Sequence, residues 1–185
     1  QIGKFGVGFY SSFMVADKVE VLSKSAVDNA SATLWKSDGG ESYTLEESDH
    51  SEHGTSIVIK LNKDNEEFID ESRIRFLINK YSEYINFPIN VQIGDKDEER
   101  VNNNEAIWLK SKRSVKKDEY DEFYKYISHD FNEPLLTIHN KVEGKQEYSN
   151  LLYIPKKSPF DIWNRDTPKG LKLYIQRGFV MDGAA

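Results

Sequence analysis

Apolar residues recur along this chain in two rhythms, and the changes of rhythm mark its elements. Ile74, Leu77, Ile78, Tyr81 and Ile85 stand at spacings of +3, +4, +7 and +11, one stripe of a 3.6-residue helix. Asp70 or Ser72 precedes the stripe as a candidate cap, and Phe87-Pro88 closes it because proline cannot extend a helix. Tyr120, Phe123, Tyr124, Ile127 and Phe131 repeat the same spacing, predicting a second, aromatic-rich amphipathic helix that Asn132-Glu133-Pro134 stops. Residues 9–16 (Phe-Tyr-Ser-Ser-Phe-Met-Val-Ala) read as a short buried helix.

The other rhythm is alternation. In Thr55-Ser-Ile-Val-Ile-Lys-Leu61 it puts Ile57, Ile59 and Leu61 on one face, as in a half-buried strand. Weaker strand signals fall at residues 19–22, 32–36, 43–45, 89–93, 135–139, 146–154 and 171–180. Links rich in Ser, Asp, Asn and Gly join the first four, including Asp38-Gly39-Gly40 and His53-Gly54. They are too short for crossover helices, so an antiparallel meander is expected rather than a parallel sheet. The fold class is α+β.

Asp95-Lys-Asp-Glu-Glu-Arg100 follows Gly94 without one apolar residue. A run of six charges cannot bury a face, which makes it the best boundary in the chain; a surface hairpin turn is the alternative. The expected organisation is one domain over residues 1–93, a charged linker over 94–103 and a second α/β unit over 104–185.

Composition narrows the function classes. The net charge of −6 and pI near 5.3 argue against general nucleic-acid binding, which needs a basic footprint. The local cluster Lys110, Lys112, Arg113, Lys116 and Lys117 reads as a solvated loop before a helix. No apolar run approaches the ~18 residues of a membrane span, and no basic segment precedes the apolar stretch as in a secretory signal. Without cysteine there are no disulfides, thiolate metal sites or cysteine nucleophiles. His50, His53, His129 and His139 show no metal-ligand spacing. Glu119, Asp121 and Glu122 fall on the polar side of the second helix. Trp108, Trp163 and the tyrosine-rich helix fit core packing better than a protein-binding surface.

The segment with chemistry is Gln1-Ile-Gly-Lys-Phe-Gly-Val-Gly-Phe-Tyr-Ser-Ser12. Three glycines feeding a helix start let backbone N–H groups converge where the helix favours an anion. Gly6-x-Gly8-x-x-Ser11 is a degenerate dinucleotide fingerprint, but that reading needs a βαβ unit, and the strands that follow argue against one. Gly3-x-x-Gly6-x-Gly8 fits a phosphate loop of another architecture.

The run from Ile2 to Val19 closely resembles the last nucleotide motif of the Hsp90 chaperone family, part of a wider ATPase group that includes gyrase, MutL and histidine kinases. Gly54-Thr55 resembles the start of that family's final N-domain strand, and Lys80-Tyr-Ser-Glu-Tyr-Ile-Asn-Phe-Pro-Ile89 the helix leading out of that domain. Glu105-Ala-Ile-Trp108, Val142-Glu-Gly-Lys-Gln-Glu-Tyr148, Leu152-Tyr-Ile-Pro155, Pro159-Phe-Asp161 and Leu171-Lys-Leu-Tyr-Ile-Gln-Arg177 resemble the start of its middle domain. The short charged segment and Trp163-Asn-Arg-Asp166 are most similar to the bacterial branch.

The resemblance implies a truncated GHKL-type (Bergerat) α/β sandwich followed by the first α/β part of an Hsp90 middle domain. It implies that Gly3, Gly6, Val7, Gly8 and Phe9 meet the triphosphate of ATP through backbone N–H groups, and that Thr55 lies near the adenine end. The implied activity is ATP hydrolysis, with Mg²⁺, driving a dimeric clamp around unfolded or partly folded clients in the cytoplasm during protein folding and the stress response. Homodimerisation belongs to the full-length protein; no nucleic acid or membrane partner is implied. The family's water-activating Glu, Mg²⁺-binding Asn and adenine-reading Asp are expected ahead of Gln1, and the Arg that reaches the γ-phosphate beyond Ala185. The fragment alone is therefore expected to be inactive. The alternatives are a non-catalytic interaction fragment, or a MutL-like ATPase, which shares the glycine loop but not the motifs over residues 105–177. Lys4, where the family has Gln, Gly178 in place of a branched apolar residue, and the closing Gly183-Ala184-Ala185 depart from the pattern.

Overall fold

The computed structural model describes residues 3, 5–103, 105–158, 163, 170–175 and 177–183. Lys4, Pro159-Phe-Asp161, Asn164-Arg-Asp166 and the final two alanines, singled out above, lie outside the described residues. The chain forms two compact units, Gln1–Leu77 and Ile78–Ala185, and the division falls inside α1 (Glu71–Tyr81) rather than in the charged run.

In the first unit β1 (Ala16–Lys24), β2 (Ala32–Ser37), β3 (Thr44–Ser48) and β4 (Gly54–Leu61) make one antiparallel sheet in the order β3-β2-β1-β4. The antiparallel expectation holds, but the meander does not: β4 returns to lie beside β1, a Greek-key order. The return is tied down by Lys24 Nζ donating to the Ser51 carbonyl at 3.2 Å and by His53 Nδ1 against the Ser25 carbonyl at 2.7 Å. This order puts β1 in the interior of the sheet, where Val19 is fully buried.

The register sorts the sheet into two faces. Val19, Val21 and Ser23 stand opposite Ile59, Ile57 and Thr55 on one side and opposite Ser37, Trp35 and Thr33 on the other. Directly opposed residues share a face, so this face carries the apolar set. The reverse face holds Lys18, Glu20, Lys36 and Glu46; Lys18 pairs with Glu20 at 2.7 Å and Lys36 with Glu46 at 3.0 Å.

Where a buried helix was expected over residues 9–16, the chain forms a 3-10 helix, Val7–Met14, with no fully buried residue, and Ala16 already belongs to β1. The hydroxyls of Ser11 and Ser12 bond back to the carbonyls of Gly8 and Phe9, a local competition that works against a regular α-helix. Phe9 and Phe13 reach the sheet, packing on Trp35 with ring centroids 5.8 and 6.2 Å away. A second 3-10 helix, Lys63–Ile69, leads to α1. Asp70 caps α1, its carboxylate accepting the Arg73 N–H at 2.9 Å. The expected stripe ran to Ile85, but α1 ends at Tyr81.

In the second unit the charged run turns a hairpin. β5 (Asn90–Val91) pairs with β6 (Glu99–Arg100) across it. Asn102, 3% exposed, closes the base. Its side-chain Oδ1 accepts the Ile89 N–H at 2.8 Å, and its Nδ2 donates to the carbonyls of Phe87 and Ile85 at 2.8 and 3.3 Å.

The core of this unit is aromatic. Tyr84 is 2% exposed and meets Trp108 and Tyr174 at centroid distances of 4.6 and 5.5 Å. Trp108 also packs on Tyr174 and, at 6.0 Å, on Phe123 from α2 (Lys117–Ser128). β7 (Leu136–Val142) and β8 (Tyr148–Ile154) form one hairpin, and β9 (Lys172–Ile175) and β10 (Gly178–Asp182) another. The single strand expected over residues 171–180 is thus broken. Arg177 takes a left-handed φ of 71°, and a Cβ on Gly178 would sit 3.3 Å from the Ile175 carbonyl. The tight turn accounts for glycine there.

Asp121 and Lys110 depart from the solvated picture, and His139 is buried. Asp121 is buried and is covered by Lys117, which also reaches Glu133. Lys110 bridges Glu105 and Glu119 at 3.0 and 3.2 Å. The Lys116 N–H and then Lys110 hold the Glu119 carboxyl below the ordinary carboxylate range. His139 is 4% exposed, with Nε2 against the Trp108 carbonyl at 3.1 Å and Nδ1 against the Tyr120 hydroxyl at 2.7 Å. Because a carbonyl only accepts, Nε2 carries the proton and Tyr120 donates to Nδ1.

Candidate functional site

The glycine segment is a turn that starts a helix. Gly3 and Gly6 take left-handed φ values of 73° and 67°, and the Gly6 N–H donates to the Gly3 carbonyl at 3.0 Å. Gly6 is the N-cap of the Val7–Met14 helix. In an i→i−3 ladder capped there, the N–H groups of Val7 and Gly8 have no helical acceptor, while that of Phe9 is the first with one. The turn therefore offers fewer donors than the bare motif suggests: the Gly6 amide is already used.

A Cβ built on Gly3, Gly6 or Gly8 meets no heavy atom within 4 Å. The backbone is thus open to close approach, as a phosphate cradle requires. No acidic side chain occurs before Asp17, so the segment itself brings no carboxylate to a divalent cation. Phe9 has two roles to fill: its ring packs edge-to-face on Trp35, and its backbone belongs to the first turn.

Thr55 sits in β4 opposite Ser23, and their hydroxyls are 2.8 Å apart. Its relation to the glycines follows from the direction of the 3-10 helix. Phe9 lies on Trp35, whereas Phe13 lies against the turn beyond β2, its ring 3.0 Å from where a Cβ on Gly39 would be. The helix therefore runs along β2 and antiparallel to β1. Its glycine end points toward the end of the sheet that holds Ser23 and Thr55, on the same face. Sequence reasoning did not find Ser23 or Trp35. Trp35 carried a signal, as the one large aromatic in an alternating strand.

The two left-handed glycines make a stability prediction. With open space at the Cβ position, Gly6→Ala costs only the conformational strain of φ 67°, about 1 kcal/mol. Gly8, whose φ is not left-handed, should accept alanine with a smaller loss. Thermal melts of the two variants check this, and an equal loss at both positions would show that φ is not the cause.

The Hsp90 protein family model matches residues 90–185. Among curated proteins, chaperone protein HtpG of Enterobacter sp. (strain 638) is 46% identical over 191 residues, covering 99% of this chain and 31% of that protein. The HtpG chaperones of Salmonella typhi and Actinobacillus pleuropneumoniae match at the same identity and coverage. The chain thus spans 31% of the length of these relatives.

Proposed function

Because the chain belongs to the Hsp90 chaperone family, we propose that its first unit is the phosphate-side wall of an ATP site, and that the whole protein uses ATP to drive a dimeric clamp around unfolded or partly folded clients. The observation that carries the nucleotide reading is the Gly3–Gly6 turn, which feeds a helix start with open space at all three glycines.

In this reading the N–H groups of Val7 and Gly8 bind phosphate oxygens, and the backbone at Gly3, Gly6 and Phe9 shapes the approach. Anions are favoured there by the unpaired donors and the partial positive charge of the first turn. Thr55, its hydroxyl held by Ser23, lines the adenine end. The Mg²⁺ that accompanies ATP would be held by the phosphates and by donors other than this segment, which has no carboxylate. When bound, ATP supplies the phosphoanhydride whose cleavage resets the clamp; these residues position it and move no proton. The general base, the metal-binding Asn and the adenine-reading Asp belong to other parts of the whole protein. Loss of a general base alone costs roughly 10²–10⁴-fold in rate, so the 185-residue chain is inactive by itself. A cytoplasmic location accompanies this reading; among the described residues no helix is long and apolar enough to cross a membrane.

Calorimetric titration of the chain with Mg-ATP tests the division of labour. The expected result is no binding tighter than about 1 mM, an interaction worth only about 4 kcal/mol. Micromolar affinity would show that the described wall is sufficient for nucleotide binding, and measurable turnover would overturn the assignment of catalysis to other residues.

A further inference from the structure

Trp35 stands in β2 with Val21 of β1 opposite it on one side and Leu45 of β3 on the other, so its indole rises from the apolar face of the sheet. Three rings lie against it: Phe9 at 5.8 Å and 68°, Phe13 at 6.2 Å and 73°, and Tyr43 at 6.1 Å. Phe9 and Phe13 also meet each other edge to face at 6.0 Å. Both belong to the Val7–Met14 helix, so one indole holds that helix near its glycine end and again four residues further on. Gly39 makes room for the second contact, since a Cβ there would sit 3.0 Å from the Phe13 ring.

The two ends of this helix are fastened differently. At the far end the Val15 N–H donates to the Ser12 carbonyl at 3.2 Å, and the Val15 carbonyl accepts the Asn62 N–H at 2.9 Å. These bonds tie the end of the helix to the chain just past β4. At the near end the backbone turns on Gly3 and Gly6 with open space around both, and the Phe9 ring brings the first turn onto the sheet. A 3-10 helix has poorer hydrogen-bond geometry than an α-helix and stiffens itself less. With a rise of about 2 Å per residue, the Val7 amide lies roughly 16 Å from Val15. A tilt of about 10° around Val15 would carry that amide about 3 Å, a whole hydrogen-bond length. The seat of Phe9 on Trp35 therefore decides where the first-turn amides point.

We infer that Trp35 is a positioning residue of the phosphate wall: acting through Phe9, it aims the N–H groups of Val7 and Gly8 at the phosphates. The inference rests on the nucleotide reading proposed above. Trp35 makes no contact with the nucleotide itself; it holds donors in place before the anion arrives, which lowers the ordering cost of binding. Its influence is confined to the phosphates, because the adenine end lies with Thr55 and Ser23 on other strands.

Trp35→Leu keeps an apolar residue in the strand and removes both ring contacts, whereas Phe9→Leu removes the coupling from the other side. Calorimetry on the whole protein compares Mg-ATP with adenosine, which has no phosphate. Each variant should bind Mg-ATP about tenfold more weakly or worse, because two charge-assisted bonds are misaimed, and should bind adenosine within about twofold of wild type. The double variant should lose no more than either single one, the mark of residues acting as a unit. Trp35→Phe, which leaves a ring for Phe9, should recover part of the loss. A whole protein that binds no Mg-ATP overturns the nucleotide reading and this inference with it. If the wild type binds, the inference alone fails on any of three results: wild-type Mg-ATP affinity in Trp35→Leu, parallel losses for Mg-ATP and adenosine as from a general packing defect, or losses that add in the double variant. Should Trp35→Leu not fold, Phe9→Leu must show the split between the two ligands by itself, and its absence there overturns the inference.

Discussion

Replacing Tyr84 by alanine is expected to destabilise the second unit by about 3–5 kcal/mol, the range for deleting a buried aromatic side chain. Tyr84 is 2% exposed and touches Trp108, Tyr174 and Phe123, with centroids 4.6 to 6.4 Å away. It is the ring that joins the segment after α1 to α2 and to the β9–β10 hairpin. Its loss removes the burial of one large side chain and three ring contacts, each pair contributing about 0.5–1.5 kcal/mol beyond area. Domains are stable by only about 5–15 kcal/mol in all, so the variant should unfold at a much lower urea concentration. Near-UV circular dichroism, which reports ordered aromatic rings, would follow the transition. Tyr84→Phe keeps the ring and its three aromatic contacts, so it should cost far less. A loss below about 1 kcal/mol for the alanine variant would mean that the cluster is not the core of this unit.

Asn102→Leu should cost nearly as much by a different mechanism. Leucine fits an apolar site of similar volume but bonds none of the three backbone groups that Asn102 satisfies, the Ile89 N–H and the carbonyls of Phe87 and Ile85. A buried polar group left without a partner costs about 1–3 kcal/mol; with partial relaxation the sum is about 3 kcal/mol. Hydrogen exchange separates this from a general packing defect. The Ile89 amide should exchange far faster in the variant, while amides in β7 and β8 keep their protection relative to global stability. Unchanged exchange at Ile89 would refute the clamp.

The residues that the sequence pattern misplaced share a physical reason. Alternation in residues 55–61 located β4 because one face is apolar and the other is not. It could not say which strand β4 would join, since that depends on β1 being the strand best able to stand in the interior. The helix over Val7–Met14 carries enough apolar residues for burial, but two of them find the sheet and the serines bond back to the backbone. Tyr84 lies off the Ile74–Ile85 stripe and beyond the end of α1, so helical periodicity could not mark it. Asn102 sits in Val-Asn-Asn-Asn, where nothing local distinguishes a clamp from a loop. Asp121 looked solvated because the pattern counts its charge but not the Lys117 that covers it. The glycine turn was legible because φ near +70° has a chemical signature. Ser23, the partner of Thr55, was not, because a serine in a strand is ordinary until a threonine stands opposite.

The base of the β5–β6 hairpin has one more consequence. Two residue pairs and the Asn102 side chain fix where the chain leaves residues 85–89 and where it returns, so closure is settled below the charged tip. Extra residues inserted between Gly94 and Glu98 would add only the entropy of a longer loop, about 0.6 kcal/mol for each doubling, and would leave the path of residues 85–89 unaltered. The tip can thus change in length and composition while the residues on either side of the hairpin keep their register.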